Sequence, residues 1–449
     1  MIALLIVGAG PAGMSAAVEA QKHGVHPTVI DNRPEPGGNI YAYLGSTHRS
    51  RPTRMPLFGS DYAKGLGLLS AFNDGVASRN ITYLPSTKLW QIDADGEYAF
   101  DGPQGSQSGR AKQVLLATGA QERPMPIPGW TLPGVMGVGG AQILMKSGAE
   151  LPEGDIVIVG AGPLPLLVTD QLCKAGRTVK AIVEPKGAVH PMAGGKQILR
   201  AAMAPRTSLK GLGLLTKRAF GKTPVWRGAT DLTITGKDRA TGLSFRAKQS
   251  VDLDASIILL HDGIVPNLNP LRAASLTTRY SRLQHTWHAQ SESAVQVIGD
   301  GARIMGVEAA VISGRVAAAK ACGTSPNASD TRKLAKLWSF RTFLDSMYPP
   351  VRLARNAPKE AVLCRCERVT ADAVNEAVKI HGANPNALKR ALRIGMGPCQ
   401  GRMCAHSLAD FTAELTQSTP EQVGLQNPRS PILPVSLGAL ADLTLPTDG

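Results

Sequence analysis

The chain has 449 residues, of which 43% are hydrophobic, so it is long enough to form two or three domains with separate cores. Its formal net charge of +15 comes from scattered basic residues and only 4% of residues are aromatic, so we expect a solvated surface or a docking face for an acidic partner, and no nucleic acid. No apolar run is long enough to cross a bilayer and no basic flank precedes the apolar start, so we expect no transmembrane segment, no signal peptide and a cytoplasmic location.

The first stretch, Ile2 to Asp31, has the pattern of a dinucleotide-binding βαβ unit. Leu4–Val7 is an apolar run with the length of a buried parallel strand, and it leads directly into the glycine turn Gly8–Gly13. Small residues that suit a helix follow the turn. A lone glycine pattern is weak evidence, but strand, turn, helix and a following acid together predict a Rossmann-like nucleotide site.

Each glycine of this turn has a mechanical reason. Gly8 permits the tight turn, Gly10 leaves room for a pyrophosphate, and Gly13 lets the helix lie close to the strand with its free N–H groups directed at the phosphates. Asp31 ends the second strand, where a carboxylate can accept hydrogen bonds from ribose hydroxyls. The predicted nucleotide contacts of this stretch are Gly8, Gly10, Pro11, Ala12, Gly13, Asp31 and Asn32.

Two later loops are candidates for the same site. In the loop Gly37–Asn39 the backbone can approach a ligand, although an ordinary turn fits these residues equally well. After short predicted strands between Ile81 and Gly109, the apolar run Gln113–Leu116 leads into the small residues Ala117–Gly119, which repeats the strand-into-turn pattern. The predicted contacts of these loops are Gly37, Gly38, Asn39, Ala117, Thr118 and Gly119.

An internal repeat predicts a second dinucleotide-type domain. The stretch Ile156–Pro163 copies Leu4–Pro11, and Glu184 closes the following apolar run as Asp31 does in the first copy. The third glycine, however, is replaced by Pro165. Proline is tolerated in the first turn of a helix, so we expect the fold to be kept while ordinary nicotinamide binding is disfavoured.

The chain then returns to the first domain. Arg200–Lys248 is basic and rich in glycine, and we expect it to complete the second domain with short strands and a surface loop. Ile257–Leu260 is predicted to be the returning connection. The strand Val295–Ile298 ends in Gly299 and Asp300, which taken alone form a turn more often than a ligand site, and a helix of small residues follows. Because the earlier motifs precede it in the correct order, we include Gly299 and Asp300 in the site.

The six cysteines are unevenly distributed. Cys173 and Cys322 stand alone in apolar helical surroundings and are predicted to be core residues. The other four form a C-x-C pair and a C-x4-C pair joined by two predicted helices, and in a cytoplasmic protein this grouping indicates a metal or cluster site before disulfides. The predicted ligands are Cys364, Cys366, Cys399 and Cys404.

Iron–sulfur and zinc are the competing occupants of this site. A structural zinc site commonly uses C-x2-C pairs, and both pairs here depart from that spacing. Gly395, Gly397 and Gly401 leave backbone N–H groups free to approach sulfur, which stabilises the charge of an iron–sulfur centre. We therefore favour [2Fe-2S] over zinc, and four free cysteines least of all.

Taken together, the motifs resemble the α subunits of heteromeric flavin-dependent amine dehydrogenases, which include opine oxidases, proline and hydroxyproline dehydrogenase complexes and hydrogen cyanide synthase. The resemblance covers nearly the whole chain, to about Leu415, and its most specific part, Gly395–Cys404, is similar to a bacterioferritin-associated-ferredoxin-like [2Fe-2S] domain. The residues that carry it are Gly8 to Gly13, Pro36 to Gly38, Ala117 to Gly119 with Arg123 and Pro128 to Trp130, Gly160 to Leu164, Gly299 to Gly301, and Cys364 to Cys404.

The resemblance implies an electron-relay subunit of a hetero-oligomer. FAD, with NAD or ATP as alternatives, would occupy the first site, with Gly37 and Gly38 beside the flavin and Asp300 on its ribityl or phosphate part. A β subunit resembling an FAD amine oxidase would oxidise the C–N bond of an opine, imino acid or amino acid. Further possibilities are an FMN between the subunits and a small ferredoxin-like γ subunit. No residue of this chain is assigned a catalytic role.

The resemblance also implies the architecture, an α/β two-dinucleotide-binding-domain flavoprotein in which a second Rossmann-like domain is inserted in the FAD domain, followed by a small, mainly helical [2Fe-2S] domain. Two rival functions stay open: a self-sufficient NAD(P)H-dependent ferredoxin- or rubredoxin-reductase-like enzyme, and a non-catalytic scaffold stabilised by nucleotide and zinc. The predicted boundaries are 1–130 and 251–325 for the FAD domain, 131–250 for the second domain, 326–358 for a linker helix, 359–420 for the cysteine domain and 421–449 for a tail.

Overall fold

The computed structural model describes residues 1–149, 151, 153–190, 223–290, 294–441 and 443. Within these ranges the chain forms two seven-stranded sheets, three two-stranded ribbons and the helices that cover them. Much of the predicted loop in Arg200–Lys248 lies outside the described residues, and its described part forms strands from Val225 onward.

The strands and helices alternate as two βαβ blocks expected from the internal repeat. In chain order the strands are β1 Ile2–Val7, β2 Thr28–Ile30, β3 Thr82–Leu84, β4 Lys88–Ile92, β5 Glu97–Gly102, β6 Gly105–Leu116, β7 Ala120–Glu122, β8 Val135–Gly137, β9 Ile156–Gly160, β10 Val179–Pro185, β11 Val225–Thr235, β12 Gly242–Arg246, β13 Ser250–Asp254, β14 Ile257–His261, β15 Ile264–Pro266, β16 Thr278–Ser281, β17 Thr286–Ala289, β18 Val295–Val297, β19 Val362–Cys364 and β20 Val369–Thr370.

The described helices follow the same order, and three short 3₁₀ turns, Pro52–Arg54, Gly299–Gly301 and Leu353–Asn356, lie between them. They are α1 Pro11–Lys22, α2 Leu44–Ser50, α3 Met55–Phe58, α4 Ser60–Ala63, α5 Gly65–Ala77, α6 Val138–Ser147, α7 Pro163–Lys174, α8 Asn269–Ala273, α9 Val307–Ala321, α10 Ala328–Met347, α11 Ala371–His381, α12 Pro385–Leu392, α13 Ala405–Leu415, α14 Pro420–Val423 and α15 Leu437–Ala441.

The first sheet is the base of the N-terminal unit. Its parallel part runs β3-β2-β1-β6, and β18 pairs in parallel with β6. The long strand β6 pairs antiparallel with β5 over residues 105–110 and parallel with β1 over residues 111–116, so it joins the hairpin to the Rossmann-like core. The parallel strands are buried on both faces, which explains their continuous apolar sequences.

The second sheet has the order β13-β12-β11-β10-β9-β14-β8. Ile257–Leu260, predicted to be the connection returning to the first domain, instead lies inside this sheet, because β14 pairs in parallel with both β9 and β8. β13 also pairs here, so the second unit extends beyond the predicted boundary at residue 250. An apolar run indicates a buried strand but carries no information about which sheet it joins.

The chain crosses between the two units through a short antiparallel ribbon formed by β7 and β15. β7 follows the predicted small-residue segment Ala117–Gly119, and β15 follows β14 after a turn at Asp262 and Gly263. Both crossings therefore lie side by side, next to the C-terminal ends of β1 and β6. This is the edge at which parallel α/β sheets bind ligands.

The C-terminal unit contains the β19–β20 hairpin and helices α11–α14 around a separate small core. Helices α11 and α12 match the two helices predicted between the cysteine pairs. The segment predicted to be a tail is partly integrated, because Val423 and Ile432 are buried. Outside this unit, the prediction for the two isolated cysteines is wrong: Cys173 is exposed on α7 and Cys322 is only partly buried at the end of α9.

Helices α1 and α9 pack against each other over the first sheet through small residues. A Cβ atom built on Gly314, in the middle of α9, would lie 2.2 Å from the Ala12 carbonyl oxygen. The glycine therefore sets the close approach that holds both helix N-termini at the ligand edge of the sheet. Among the described residues, no helix is both long and apolar enough to span a membrane.

We predict opposite stability effects for two mid-helix Gly→Ala substitutions. Gly314→Ala should lower the free energy of unfolding by about 1–3 kcal/mol, because its methyl group overlaps the backbone of α1. Gly67→Ala on α5 has no atom within 4 Å of the new Cβ and should raise that energy by about 0.5–1 kcal/mol, since it removes glycine's conformational freedom. Thermal unfolding midpoints check both, and a stable Gly314→Ala variant would contradict the packing argument.

Candidate functional site

The first glycine turn has the geometry that its sequence predicts. Gly8 has a φ of +107°, and a Cβ atom there would lie 2.5 Å from the Ala117 carbonyl oxygen. A Cβ atom on Gly13 would lie 1.8 Å from the Gly8 carbonyl oxygen. Helix α1 begins at Pro11 immediately after Gly10, so its first N–H groups point out of the turn without helical partners. The turn is therefore a backbone cradle of the kind that holds a pyrophosphate.

Asp31 is buried beside this turn and is held by backbone donors. One carboxylate oxygen accepts a hydrogen bond from the Ala9 N–H at 2.5 Å, and the other accepts one from the Arg33 N–H at 2.8 Å. Burial raises the pKa of Asp31, against the lowering effect of these two hydrogen bonds. Each oxygen keeps lone-pair capacity for a second donor, so its assignment to a ribose stays a prediction. Asn32, next along the chain, is exposed.

The loop Gly37–Asn39 lies directly against the turn. The Gly37 N–H donates to the Ala9 carbonyl oxygen at 2.8 Å, and a Cβ atom on Gly38 would lie 2.9 Å from the Cα of Gly10. The Asn39 amide donates to the Ala120 carbonyl oxygen at 3.2 Å. Two backbones thus meet without side chains between them, as a site that accepts a nucleotide along its floor requires.

The segments Ala117–Gly119 and Gly299–Gly301 complete the same edge. The Thr118 hydroxyl donates to the Asn267 carbonyl oxygen at 2.9 Å, and a Cβ atom on Gly301 would lie 3.2 Å from the Gly119 nitrogen. One Asp300 carboxylate oxygen accepts from the N–H groups of Met305 and Gly306 at 2.9 and 3.0 Å, which fixes the turn before α9. The structure therefore brings all predicted nucleotide segments together, while their individual ligand roles stay predictions.

Lys146 is a residue of this region that the sequence patterns did not single out. It is only 4% exposed, and its ammonium group donates to the carbonyl oxygens of Asn39 and Ile40 at 3.2 and 2.8 Å. Burial lowers the pKa of Lys146 to about 7. Lys146 thus connects helix α6 of the second unit to the Gly37–Asn39 loop. The sequence signal that could have identified it is a lysine on an otherwise apolar helix face.

The second glycine turn keeps its shape but is covered by the chain itself. Gly160 and Gly162 have φ values of +141° and +109°, and α7 begins at Pro163. A Cβ atom on Gly162 would lie 3.8 Å from Tyr348, and the His190 N–H donates to the Met347 carbonyl oxygen at 2.9 Å. The end of α10 and the following prolines thus lie over the place where a pyrophosphate would bind.

The cavity left between this turn and the covering segment has a volume of about 150 Å³. Small-molecule pockets have volumes of roughly 300–1,000 Å³, so this cavity is smaller than the pockets that usually hold such ligands. His261, at the end of β14, lines the cavity, and its Nδ1 atom lies 2.9 Å from a carboxylate oxygen of Glu122. Glu184, the acid of the second copy, is buried at the end of β10 within 3.7 Å of Arg227.

Helix α10 is therefore more than the linker that its sequence predicts. Besides covering the second turn, it forms a wall of a cavity of about 420 Å³ that adjoins Gly299, Asp300 and α9. There the Arg303 guanidinium lies 4.3 Å from the centre of the Trp338 ring. Helix α10 contacts α9 of the first unit, and Tyr348 at its C-terminal end contacts the glycine turn of the second unit. Its amphipathic sequence pattern alone does not reveal these contacts.

The four C-terminal cysteines converge as two pairs. Cys364 ends β19 and forms a hydrogen bond with Cys404, which precedes α13, while Cys366 forms one with Cys399. A Cβ atom on Gly397 would lie 2.4 Å from the Cβ of Cys366, so glycine is required where the two cysteine loops meet. The pairing of a C-x-C with a C-x4-C loop is the arrangement expected from the sequence.

The environment acts differently on the individual thiols, because it lowers the pKa of Cys364 and raises the pKa values of Cys366 and Cys404. The hydrogen bond from Cys404 and the N–H groups of Gly395, Glu367 and Cys366 lower the pKa of Cys364 to about 6, although burial opposes them. The pKa of Cys404 is raised well above its usual range by its hydrogen bond with Cys364 and by burial. Four thiols with backbone N–H donors fit the ligand set of an iron–sulfur centre. Among the described residues, however, no group of three or more His, Cys, Asp and Glu side chains is arranged as a metal site.

The cysteine unit is bound to the dinucleotide units by direct hydrogen bonds. The Asn269 amide donates to the carbonyl oxygens of Cys399 and Gln400 at 3.2 and 3.0 Å, and the Gln121 amide donates to the Arg402 carbonyl oxygen. Gln121 follows Ala120, the residue that accepts from Asn39. Strand β7 thus contacts the glycine loop of the first site and the cysteine loop at adjacent residues.

A buried ionic network reinforces this contact. Asp410 on α13 accepts from Arg123 at 3.4 Å and from Arg352 at 3.1 Å, and Asp410 and Arg123 are almost completely buried. His406, one turn before, lies 2.9 Å from the Thr286 hydroxyl, and Glu414, one turn after, pairs with Arg355. Spacing of four residues along one helix was the sequence signal for this polar face.

Comparison with known proteins agrees with the two-part architecture. Residues 2–314 match the model of the pyridine nucleotide-disulphide oxidoreductase family, and residues 360–443 match the sarcosine oxidase A3 domain. The second match includes most of the segment predicted to be a tail. The fold resembles the crystal structure of L-proline dehydrogenase from P. horikoshii, with a TM-score of 0.72 at 18% identity over 98% of this chain and 79% of the other.

Two relatives that align with nearly the whole chain indicate its family. The chain is 37% identical to an opine oxidase subunit of Rhizobium meliloti over 98% of its own length and 87% of that protein. It is 31% identical to hydrogen cyanide synthase subunit HcnB of Pseudomonas protegens, covering 97% and 96% of the two chains. Over an alignment of 194 residues, which covers 40% of this chain and 19% of the other protein, it is 28% identical to the alpha subunit of sarcosine oxidase from Corynebacterium. The chain therefore belongs to the family of these opine oxidase subunits and HcnB, and is a flavin-dependent oxidoreductase subunit of the heteromeric class that the sequence motifs predicted.

Proposed function

We propose that this chain is the electron-relay subunit of a complex that oxidises the C–N bond of an opine, imino acid or amino acid. The observation that carries the proposal is the contact of strand β7 with both predicted cofactor loops. The Asn39 amide, beside the first glycine turn, and the Arg402 carbonyl oxygen, between two of the cysteines, bind adjacent residues of this strand. A relay requires two redox centres held at a fixed separation within one rigid body.

The first site is proposed to hold FAD, which agrees with the pyridine nucleotide-disulphide oxidoreductase match. In this assignment the turn Gly8–Gly13 and the start of α1 bind the pyrophosphate, Asp31 the adenosine ribose, and Asp300 the ribityl or phosphate part. Four cysteines are proposed to hold a [2Fe-2S] cluster. When bound, FAD can exchange electrons in pairs or singly and the cluster exchanges them singly, so the flavin would convert a two-electron oxidation into one-electron steps.

In this proposal the chain's own residues hold the cofactor loops in position and carry out no acid–base chemistry. Lys146 and Asn39 fix the Gly37–Asn39 loop, and Asn269 fixes the Cys399 loop. None of the predicted site residues is assigned proton transfer from a substrate. Oxidation of the C–N bond is therefore proposed to occur on a partner subunit resembling an FAD amine oxidase, in line with relatives that are themselves named as subunits.

We predict that substrate oxidation requires the partner. The purified chain should not dehydrogenate opines, proline or sarcosine with an artificial electron acceptor, because the substrate-oxidising flavin is proposed to lie on the partner subunit. The complex that co-purifies from native cells should oxidise one of these classes, and mass spectrometry should identify the partner. Equal rates for the isolated chain and the complex would refute the relay assignment.

We predict iron and acid-labile sulfide, two of each per chain, as a [2Fe-2S] centre requires. Cys399→Ser should abolish the visible absorbance of the cluster, because it removes one of the four proposed ligands, the half-buried Cys399. Cys173→Ser is the matched control, since Cys173 is exposed on α7 outside the cysteine unit, and it should leave iron content unchanged. Zinc without iron would instead favour a structural metal and the scaffold alternative.

We predict that NADH and NADPH do not reduce the bound flavin. The covering segment around Tyr348 leaves a cavity of about 150 Å³ at the second glycine turn, smaller than the pockets of roughly 300–1,000 Å³ that usually hold small molecules. Anaerobic absorbance titration should show no bleaching by either reductant, while dithionite bleaches the flavin fully. Saturable bleaching by NADH or NADPH would support the ferredoxin-reductase-like alternative.

A further inference from the structure

Gln426 lies in the segment that sequence patterns assign to a C-terminal tail, yet it is 1% exposed and contacts the cysteine site. Its amide nitrogen donates to the Sγ atom of Cys404 at 3.5 Å. A Cβ atom on Gly395 or on Gly401 would lie 1.8 or 2.3 Å from that same nitrogen. Both glycines therefore leave the space that the Gln426 side chain fills.

The backbone on either side of Gln426 is held by donors from two different units. Arg272, on α8 of the first unit, donates to the Leu425 carbonyl oxygen at 2.8 Å. Lys389, on α12, donates to the Asn427 carbonyl oxygen at 2.7 Å, and the Asn427 N–H donates to the Asn386 side chain at 2.8 Å. The amide of Gln426 is thus fixed in place by its neighbours rather than by its own carbonyl oxygen, which has no hydrogen-bond partner among the described residues.

We propose that Gln426 is a positioning residue that sets the reduction potential of the cluster held by Cys404. The inference rests on the proposed [2Fe-2S] assignment. Hydrogen bonds to cluster sulfur atoms stabilise the more negative, reduced state and so raise the potential. Lys389, which holds the neighbouring backbone, acts in the same direction because its positive charge interacts with Cys404.

The test compares Gln426→Met, which keeps the volume and removes the N–H donor, with wild type in the intact, cluster-loaded chain. We expect full iron and sulfide content, altered EPR g values, and a reduction equilibrium shifted about tenfold toward the oxidised cluster, which is about 59 mV for a one-electron couple. Gln249→Met is the matched control, since Gln249 is exposed between β12 and β13 of the second unit, and it should leave the potential unchanged.

A second measurement does not require a change at Gln426. Labelling glutamine side chains with ¹⁵N should give a nitrogen coupling in pulsed EPR of the reduced wild-type cluster, and this coupling should persist in Gln400→Met and in Gln121→Met, which remove the two other glutamine amides that bind the cysteine loops. Absence of the coupling, or an unchanged potential in a fully loaded Gln426→Met protein, overturns the inference and leaves the cluster assignment standing. Zinc in place of iron in the wild-type protein overturns the cluster assignment itself.

Discussion

The structure depends on a buried carboxylate, Asp410, held between the guanidinium groups of Arg123 and Arg352 where three units meet. Burial raises the pKa of Asp410, and the two arginines act against it. Burying charges is costly, and removing one partner of such a network typically costs about 3–5 kcal/mol because the remaining charge is left unpaired. The network therefore specifies one arrangement: a cysteine unit that shifted or detached would leave Arg123 buried without its carboxylate. A swinging domain is inconsistent with this interaction.

A fixed arrangement has a functional consequence, because the loops of both predicted cofactor sites are then anchored to one rigid ribbon. The antiparallel pairing of β7 with β15 holds Gln121 opposite Val265, and Asn269 follows shortly after β15. Gln121 on β7 and Asn269 after β15 both donate hydrogen bonds to carbonyl oxygens of the Cys399–Arg402 loop. The separation between the two sites is thus determined by backbone pairing, which varies little with thermal motion, rather than by a flexible linker. Electron transfer needs such a constant separation, whereas hydride transfer from a diffusing nucleotide does not.

The sequence patterns predicted those features of the fold and the site that depend on residues close together in the chain. The glycine turn Gly8–Gly13 and the paired cysteine loops were identified because each requires particular residues at short spacing. Features that depend on distant segments were not predictable in this way. Ile257–Leu260 was assigned to the wrong unit since burial alone does not select a sheet, and Gln426 reaches Cys404 only through Arg272 and Lys389, residues far away in sequence. Such contacts depend on how the units pack against each other. In a single sequence, the residues that form them are visible only as polar residues without an assigned role.

The second glycine turn shows why a retained motif is not evidence for a retained ligand. A Cβ atom on Gly160 would lie 2.2 Å from the His261 carbonyl oxygen, and Gly160 and Gly162 both have φ values that favour glycine. Packing against β14 is therefore sufficient reason for Gly160. Pro165 stands where close approach of helix to strand is no longer needed, and the backbone of Val351 and Arg352 is bound to Asp262. The dinucleotide-type fold of the second unit supports the covering segment. Arg352, in that segment, forms an ion pair with the buried Asp410.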